Sequence, residues 1–326
     1  MSRTGQRVRV RTSQTETTKS EGEVSLGQLL PGDGWNDGNW QSSGNPGNQP
    51  GNPPGSPEDG GAGSGNFQVS APVLSLPGRG IDLDLKLYYN SRLWNKSGSE
   101  VKYDIDRGAP APGWSLGFGK IVFMGALGGC MLVDADGTRH GYGGDTMTWT
   151  GGMEFIGHTA DGSFTDYGCH FNYGNSGYGW AKFANGTSVT YSTIGDTPDQ
   201  VHPTKIIDPQ GNYITITYRN PENPQLETIT DTMGRIVTFQ YDSLNRLISI
   251  TVPRSTEEDP IYGGSTTRIA VKIHYKAWAL SYDFASGITP VVRDGVPWVV
   301  DAIYYPGTQT GYWFDDADSY STYGMI

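Results

Sequence analysis

The chain has 326 residues, with 34 Asp and Glu against 23 Lys and Arg, for a net charge of −11. That sign opposes non-specific binding to nucleic acid or to an anionic membrane, and no apolar run is long enough to span a bilayer. Hydrophobic residues are 35 %, Gly reaches 47, and 19 Tyr, 10 Phe and 9 Trp lead the large apolar residues. Glycine at about twice ordinary usage, with few stretches at helical spacing, predicts an all-β chain of short strands and tight turns.

Residues 1–66 are expected to form a disordered tail and linker. Arg3, Arg7, Arg9 and Arg11 open it with a small basic group, most simply a solvated one. The apolar core of a secretory signal is missing, so any route to the exterior or cell surface is expected to be a non-Sec one. The segment VSLGQLL, Val24 to Leu30, reads as a short helical turn or a recognition peptide. Between residues 31 and 66, 27 of 36 are Gly, Pro, Asn or Ser. Such a stretch cannot bury enough apolar surface to offset its ordering entropy. Trp35 and Trp40, in GWNDGNW, are either incidental aromatics or a docking peptide.

Ordered structure is expected from about Phe67 to the end, as one β-sheet domain over 67–326. Ile81, Leu83, Leu85 and Leu87 alternate with Asp82, Asp84 and Lys86, the period of a strand with one buried face. The LPGRG stretch before them supplies the Pro and Gly of a turn. Cys130 and Cys169 have no metal-ligand spacing and are too few for a disulfide framework, so two separate buried thiols are expected.

The clearest pattern runs from 133 to 251. Glycine-centred turns recur at Gly137, Gly162, Gly186, Gly211 and Gly234, at intervals of 25, 24, 25 and 23 residues by subtraction. Five residues after the first three stand Tyr142, Tyr167 and Tyr191. Phe239 holds that offset after Gly234, followed by Tyr241; after Gly211 it is Ile216, followed by Tyr218. Asp-Gly and Asn-Gly permit the positive φ of a hairpin turn, and period-two alternation then sets an aromatic on one face of each returning strand. Units of about 24 residues suit a few short strands stacked on their neighbours.

GRIVTFQYDSLNRLISIT, Gly234 to Thr251, resembles a YD repeat of the bacterial RHS (rearrangement hotspot) family. Its marks are Gly234, Arg235, Phe239, Tyr241, Asp242, Asn245, Arg246 and Leu247. DPQGNYITITY (208–218) resembles a diverged unit. PGWSLGFGKI (112–121) and LVDADGTRHGY (132–142) are similar to segments seen early in such proteins. The resemblance implies antiparallel β-hairpin repeats wound into a spiral sheet or partial shell that encloses or presents a C-terminal cargo such as a toxin. It implies the remaining RHS polypeptide or its cargo as partners, and no chemistry by the repeats. There are about five turn units, no Asp-Pro-x-Gly-Trp-type core motif and no recognisable toxin, so an opening segment of a longer protein is expected.

Chemistry has little foothold. His140, His158, His170, His202 and His274 are scattered, and neither a nucleophile elbow nor a phosphate loop is present; Ser115 reads as part of a strand edge. Asp134, Asp136 and Asp145 superficially suggest a calcium loop, but Arg139 stands where an EF-hand needs Gly, so a hairpin turn is expected. Asp315, Asp316 and Asp318 read as turn solvation. No catalytic, cofactor or metal residue is expected, and the chain reads as a non-enzymatic structural protein. The alternative is a cell-surface carbohydrate- or protein-binding module, with Trp149, Trp180, Trp278, Trp298 and Trp313 as stacking platforms. Docking of residues 1–66 to an export machine is a further expectation. Around Ser319–Tyr323 no charge blocks a free sheet edge, so the chain alone is expected to associate.

Overall fold

The computed structural model describes residues 68–104, 108–124, 129–149, 152–171, 177–195, 199–219, 224–254, 266–292 and 297–314. The expected tail, Asp315–Asp318 and Ser319–Tyr323 lie outside them, as do the side chains of Tyr142, Asp145 and Trp149. Every regular element among the described residues is a strand. The first are β1 (Gln68–Leu76), β2 (Leu83–Asn90), β3 (Trp94–Ser97), β4 (Glu100–Tyr103) and β5 (Trp114–Leu116). Next come β6 (Lys120–Phe123), β7 (Cys130–Val133), β8 (Arg139–His140), β9 (Tyr142–Trp149), β10 (Met153–Thr159) and β11 (Asp166–Phe171). A meander follows as β12 (Gly177–Lys182), β13 (Ser188–Ser192), β14 (Gln200–Ile207), β15 (Tyr213–Arg219), β16 (Gln225–Thr230) and β17 (Ile236–Tyr241). The last are β18 (Leu247–Pro253), β19 (Thr267–Ala277), β20 (Thr289–Val291), β21 (Trp298–Tyr305) and β22 (Thr310–Trp313).

Sixteen strands form the main sheet. From β9 to β19 each pairs antiparallel with its sequence neighbour, and β21 and β22 extend the path. The periodicity of about 24 residues therefore corresponds to two strands and two turns. A branch of β6, β7 and β8 joins through Gln200 and Val201 of β14. Two three-stranded sheets complete the fold, ordered β1-β2-β5 and β20-β4-β3. Ser115 lies on β5, an edge strand of the first.

Alternation decides which face is covered. Leu83, Leu85 and Leu87 of β2 are buried against one face of the main sheet, whose contribution includes Tyr167, Tyr191, Ile216, Val237, Phe239, Ile250 and Val271. On the other face Thr217, Thr228, Thr238 and Thr251 stand in register across four strands. The hydroxyls of Thr217 and Thr228 are 2.8 Å apart, a cross-strand pair that stabilises the sheet without burial. A satellite core gathers Trp94 and Tyr103 with Tyr282 and Phe284, where β20 pairs parallel to β4.

The LPGRG turn does more than close a hairpin. The Arg79 amide donates to Thr232 Oγ1, and the Arg235 guanidinium donates to the Pro77 carbonyl. A Cβ on Gly80, at φ 78°, would come within 2.0 Å of Asp208 Oδ2. Glycine lets this turn seat against two turns of the main sheet.

Cys130 and Cys169 are joined in a disulfide, with Cα atoms 6.3 Å apart, correcting the expectation of two separate thiols. The β6–β7 branch folds over the core face and brings β7 onto β11, a contact that 39 residues of sequence separation conceal. Closing a loop of that length constrains the unfolded chain by about 3–4 kcal/mol. Reduction, or replacement of both cysteines by Ala, is therefore expected to lower the denaturation midpoint with the strand content retained, as read by circular dichroism with and without reductant.

Candidate functional site

The recurrent turns share one construction. Asp134, Asp208, Asp231 and Asp242 each head a five-residue loop, with backbone bonds such as Asp231 N to Arg235 O and Gly234 N to Asp231 O, both 3.0 Å. The fourth residue of each loop takes positive φ: Gly137 at 87°, Gly211 at 88°, Gly234 at 78° and Asn245 at 59°. Gly186 at 84° does the same in a loop headed by Phe183. Gly162, at 80°, sits instead in a longer loop with Phe164 also at positive φ.

The head carboxylate satisfies the loop. Asp231 Oδ1 accepts from the amides of Met233 and Arg235, while Oδ2 takes the Arg235 Nε at 2.6 Å. Asp242 repeats this with Leu244 and Arg246. Burial raises the Asp242 carboxyl, but the bonds from Arg246 and Leu244 outweigh it and hold the group below its ordinary range. Arg246 also lies over the Trp298 ring at 4.0 Å and the Tyr275 ring at 5.6 Å, so one guanidinium binds the turn to β19 and β21.

Tyrosines mark the seam between strands. The ladder shifts register immediately before Tyr191, Tyr218, Tyr241 and Tyr275. Tyr218, Tyr241 and Tyr275 donate to the carbonyls of Pro203, Leu226 and Leu247 at 2.9, 2.8 and 2.8 Å. Pro203, Leu226 and Leu247 are the residues paired with Tyr191, Tyr218 and Tyr241, so each hydroxyl caps the strand beside the register shift of the preceding pair. Burial pushes all four phenols above their ordinary range. Tyr167 and Phe239 fill the core from the same face, and Leu247 is buried behind Arg246.

His140, which no sequence motif marks, is held between two carboxylates. Its Nδ1 lies 2.6 Å from Asp161 Oδ2 and its Nε2 lies 2.8 Å from Asp134 Oδ2. Burial alone would depress the imidazole, but hydrogen bonds and charge from Asp134 and Asp161 carry it up to about 9. Asp134 both heads its turn and clamps His140, while Asp136 accepts from the Thr138 amide within that turn. Of the tryptophans, Trp180 packs so closely on Gly168 that a Cβ there would lie 2.8 Å from its Nε1. Trp278 packs against the core, and Trp298 lies beneath Arg246.

A cavity of about 200 Å³ separates the 108–118 segment from the main sheet. Trp114, Phe118, Leu226 and Leu247 line it together with Gln225 and His202. Burial, with Lys120 nearby, pushes His202 down to about 3, so it stays neutral.

Residues 219–257, which contain the Asp242–Arg246 turn, match the family model for the RHS repeat. That match covers 39 of the 326 residues. No curated protein matches the chain. Among solved structures, TcdB2-TccC3 is similar at 9 % identity and a TM-score of 0.47, over 77 % of this chain and 16 % of that one. The form without its hypervariable C-terminal region gives 10 % and 0.48, over 73 % and 15 %. The Photorhabdus luminescens Tc holotoxin pore, with a TccC3 mutation, gives 9 % and 0.46, over 73 % and 14 %. The chain thus spans about a sixth or less of the length of these structures. Asp three residues before the positive-φ residue is a signal the glycine spacing leaves unread. Tyr275 and Trp298 lie beyond the repeat and carry no such mark.

Two outcomes follow from the turn and the clamp. Replacing Arg246 by Ala is expected to cost about 1–2 kcal/mol, through the lost carboxylate bond and ring contacts, as measured by urea denaturation. The His140 pKa lies above its unfolded value of 6.5, so the stability it contributes is complete below 6.5 and lost as pH rises through about 9. His140→Gln should flatten the fall in melting temperature across that window, as scanned by differential fluorimetry.

Proposed function

We propose that residues 67–326 act as a structural wall, a segment of an RHS-type shell that encloses or presents a cargo such as a toxin, with residues 1–66 as its tail. The supporting observation is the repeated hairpin. One turn chemistry and one tyrosine-filled bulge serve successive strand pairs, so the sheet extends by copying a unit. The residues of the signature, from Gly137 to Leu247, act in this reading as joints. Arg235, Asp242, Arg246, Tyr218 and Tyr241 use their polar groups in turns and seams, which supports a structural role.

The partners in this reading are the remaining RHS polypeptide and its cargo, outside the cell or at its surface. Among the described residues, no helix is long and apolar enough to cross a membrane. Strands β9 and β22 end the main path of the sheet among the described residues. A wall segment with open edges pairs with further strands when they are supplied.

Sedimentation velocity tests this. The chain is expected to associate as concentration rises, and Thr310→Lys, on the exposed start of β22, is expected to weaken that association. A monomer of constant sedimentation coefficient across the whole range would remove the wall reading.

A further inference from the structure

The turn between β7 and β8 supplies one wall of the cavity beside the 108–118 segment, since Asp134, Ala135, Asp136 and Gly137 all line it. Trp114, Phe118, Leu226 and Leu247 give the same cavity its apolar lining. Side chains from two strands hold the turn in place. The Ser115 hydroxyl of β5 donates to the Ala135 carbonyl, and His140 Nε2 of β8 reaches Asp134 Oδ2 at 2.8 Å.

Geometry alone sets the protonation state of the second link. The other ring nitrogen, Nδ1, lies 2.6 Å from Asp161 Oδ2. An ionised carboxylate accepts hydrogen bonds and donates none, so both nitrogens carry a proton and the imidazole is a cation. A neutral ring keeps one proton, and its other nitrogen then turns a lone pair toward a carboxylate oxygen. That contact must part. The two carboxylates differ in how they can respond. The Asp161 side chain is 2 % exposed and its Oδ1 accepts the Ser163 amide, whereas the Asp134 side chain is 44 % exposed. Water can receive Asp134, while Asp161 would be left buried and short of a donor. The proton given up is therefore the one on Nε2, and the side that opens is the turn.

Other charged and titratable groups stand around the clamp. Arg139, next along β8, stays charged throughout. Asp136 accepts from the Thr138 amide within the turn. Burial and then Asp134 raise the Tyr191 phenol of β13, and burial, Asp136 and Asp134 raise that of Tyr88 on β2, so both keep their protons while the imidazole loses one. Between β10 and β11 the Ser163 hydroxyl stands 3.5 Å from His140 Nδ1 and donates to Thr159 Oγ1.

We propose that His140 is a proton-operated latch on this cavity. With both nitrogens protonated it holds the turn from Asp134 to Thr138 as a closed wall. With Nε2 bare, Asp134 swings to solvent, the turn follows, and the apolar lining becomes accessible from that side.

Rapid-mixing hydrogen–deuterium exchange on the full chain tests this, with each rate divided by the intrinsic rate at the same pH. The amides of Asp134, Gly137 and Thr138 are bonded within the turn. They are expected to lose about tenfold in protection as pH passes about 9, while β16 to β18 stay protected. In Asp134→Asn the side-chain N–H donates to a bare Nε2, so the latch stays shut and the step disappears. His140→Gln, neutral at every pH, is expected to show a weakened turn and no step. Turn amides that keep their protection well above that pH in the unaltered chain would overturn the latch. A step of the same size in either variant would overturn it too, because some other group would then be titrating.

Discussion

The structure depends on a backbone corner that few residues accept. Four turns headed by aspartate reverse the chain through a residue at positive φ, three positions after that carboxylate. Glycine fills the corner at Gly137, Gly211 and Gly234, and Asn245 fills it where the side chain is short and polar. The aspartate then ties the loop amides, so the corner and its hydrogen bonds form together. With the turn fixed, the register of the two strands is fixed, and with the register, the face on which each tyrosine emerges.

The next level builds on that register. A bulge precedes Tyr191, Tyr218, Tyr241 and Tyr275, shortening one strand against its neighbour and twisting the pair. For the last three, the phenol that rises at the bulge caps a carbonyl of the preceding strand. Arg246 extends the same economy outward, since one side chain satisfies a carboxylate and covers two rings. A repeat of this kind needs few residue types in fixed places and leaves the rest free to vary.

Much of this was legible in the sequence because it is local. Glycine spacing gave the turns, and alternation gave the faces of Leu83 to Leu87. Tyr167, Tyr191 and Phe239 lie on the core face. What stayed hidden is contact between distant segments. The bond between Cys130 and Cys169 requires the β6–β7 branch to cross the core face, and spacing carries no trace of that. His140 looked like an ordinary strand histidine because its partners, Asp134 and Asp161, come from two different turns. The Pro-Gly-Arg-Gly turn announced a hairpin, but its second use, seating against Asp208 and Thr232, depends on a sheet assembled more than a hundred residues later.

The order in which the chain is made gives that last separation a cost. The meander from β9 to β19 joins neighbours and can form as it emerges, pair by pair. The β1–β2 hairpin is made first, yet its apolar face waits for its cover. The Tyr305 hydroxyl bonds to the Pro72 carbonyl across 233 residues, which at about 5–20 residues per second takes roughly 10–50 s to synthesise. For the earlier part of that interval Leu83, Leu85 and Leu87 lack the strands that shelter them, from Tyr167 to Val271. Translation speed and chaperone access are therefore part of how this molecule reaches its native state.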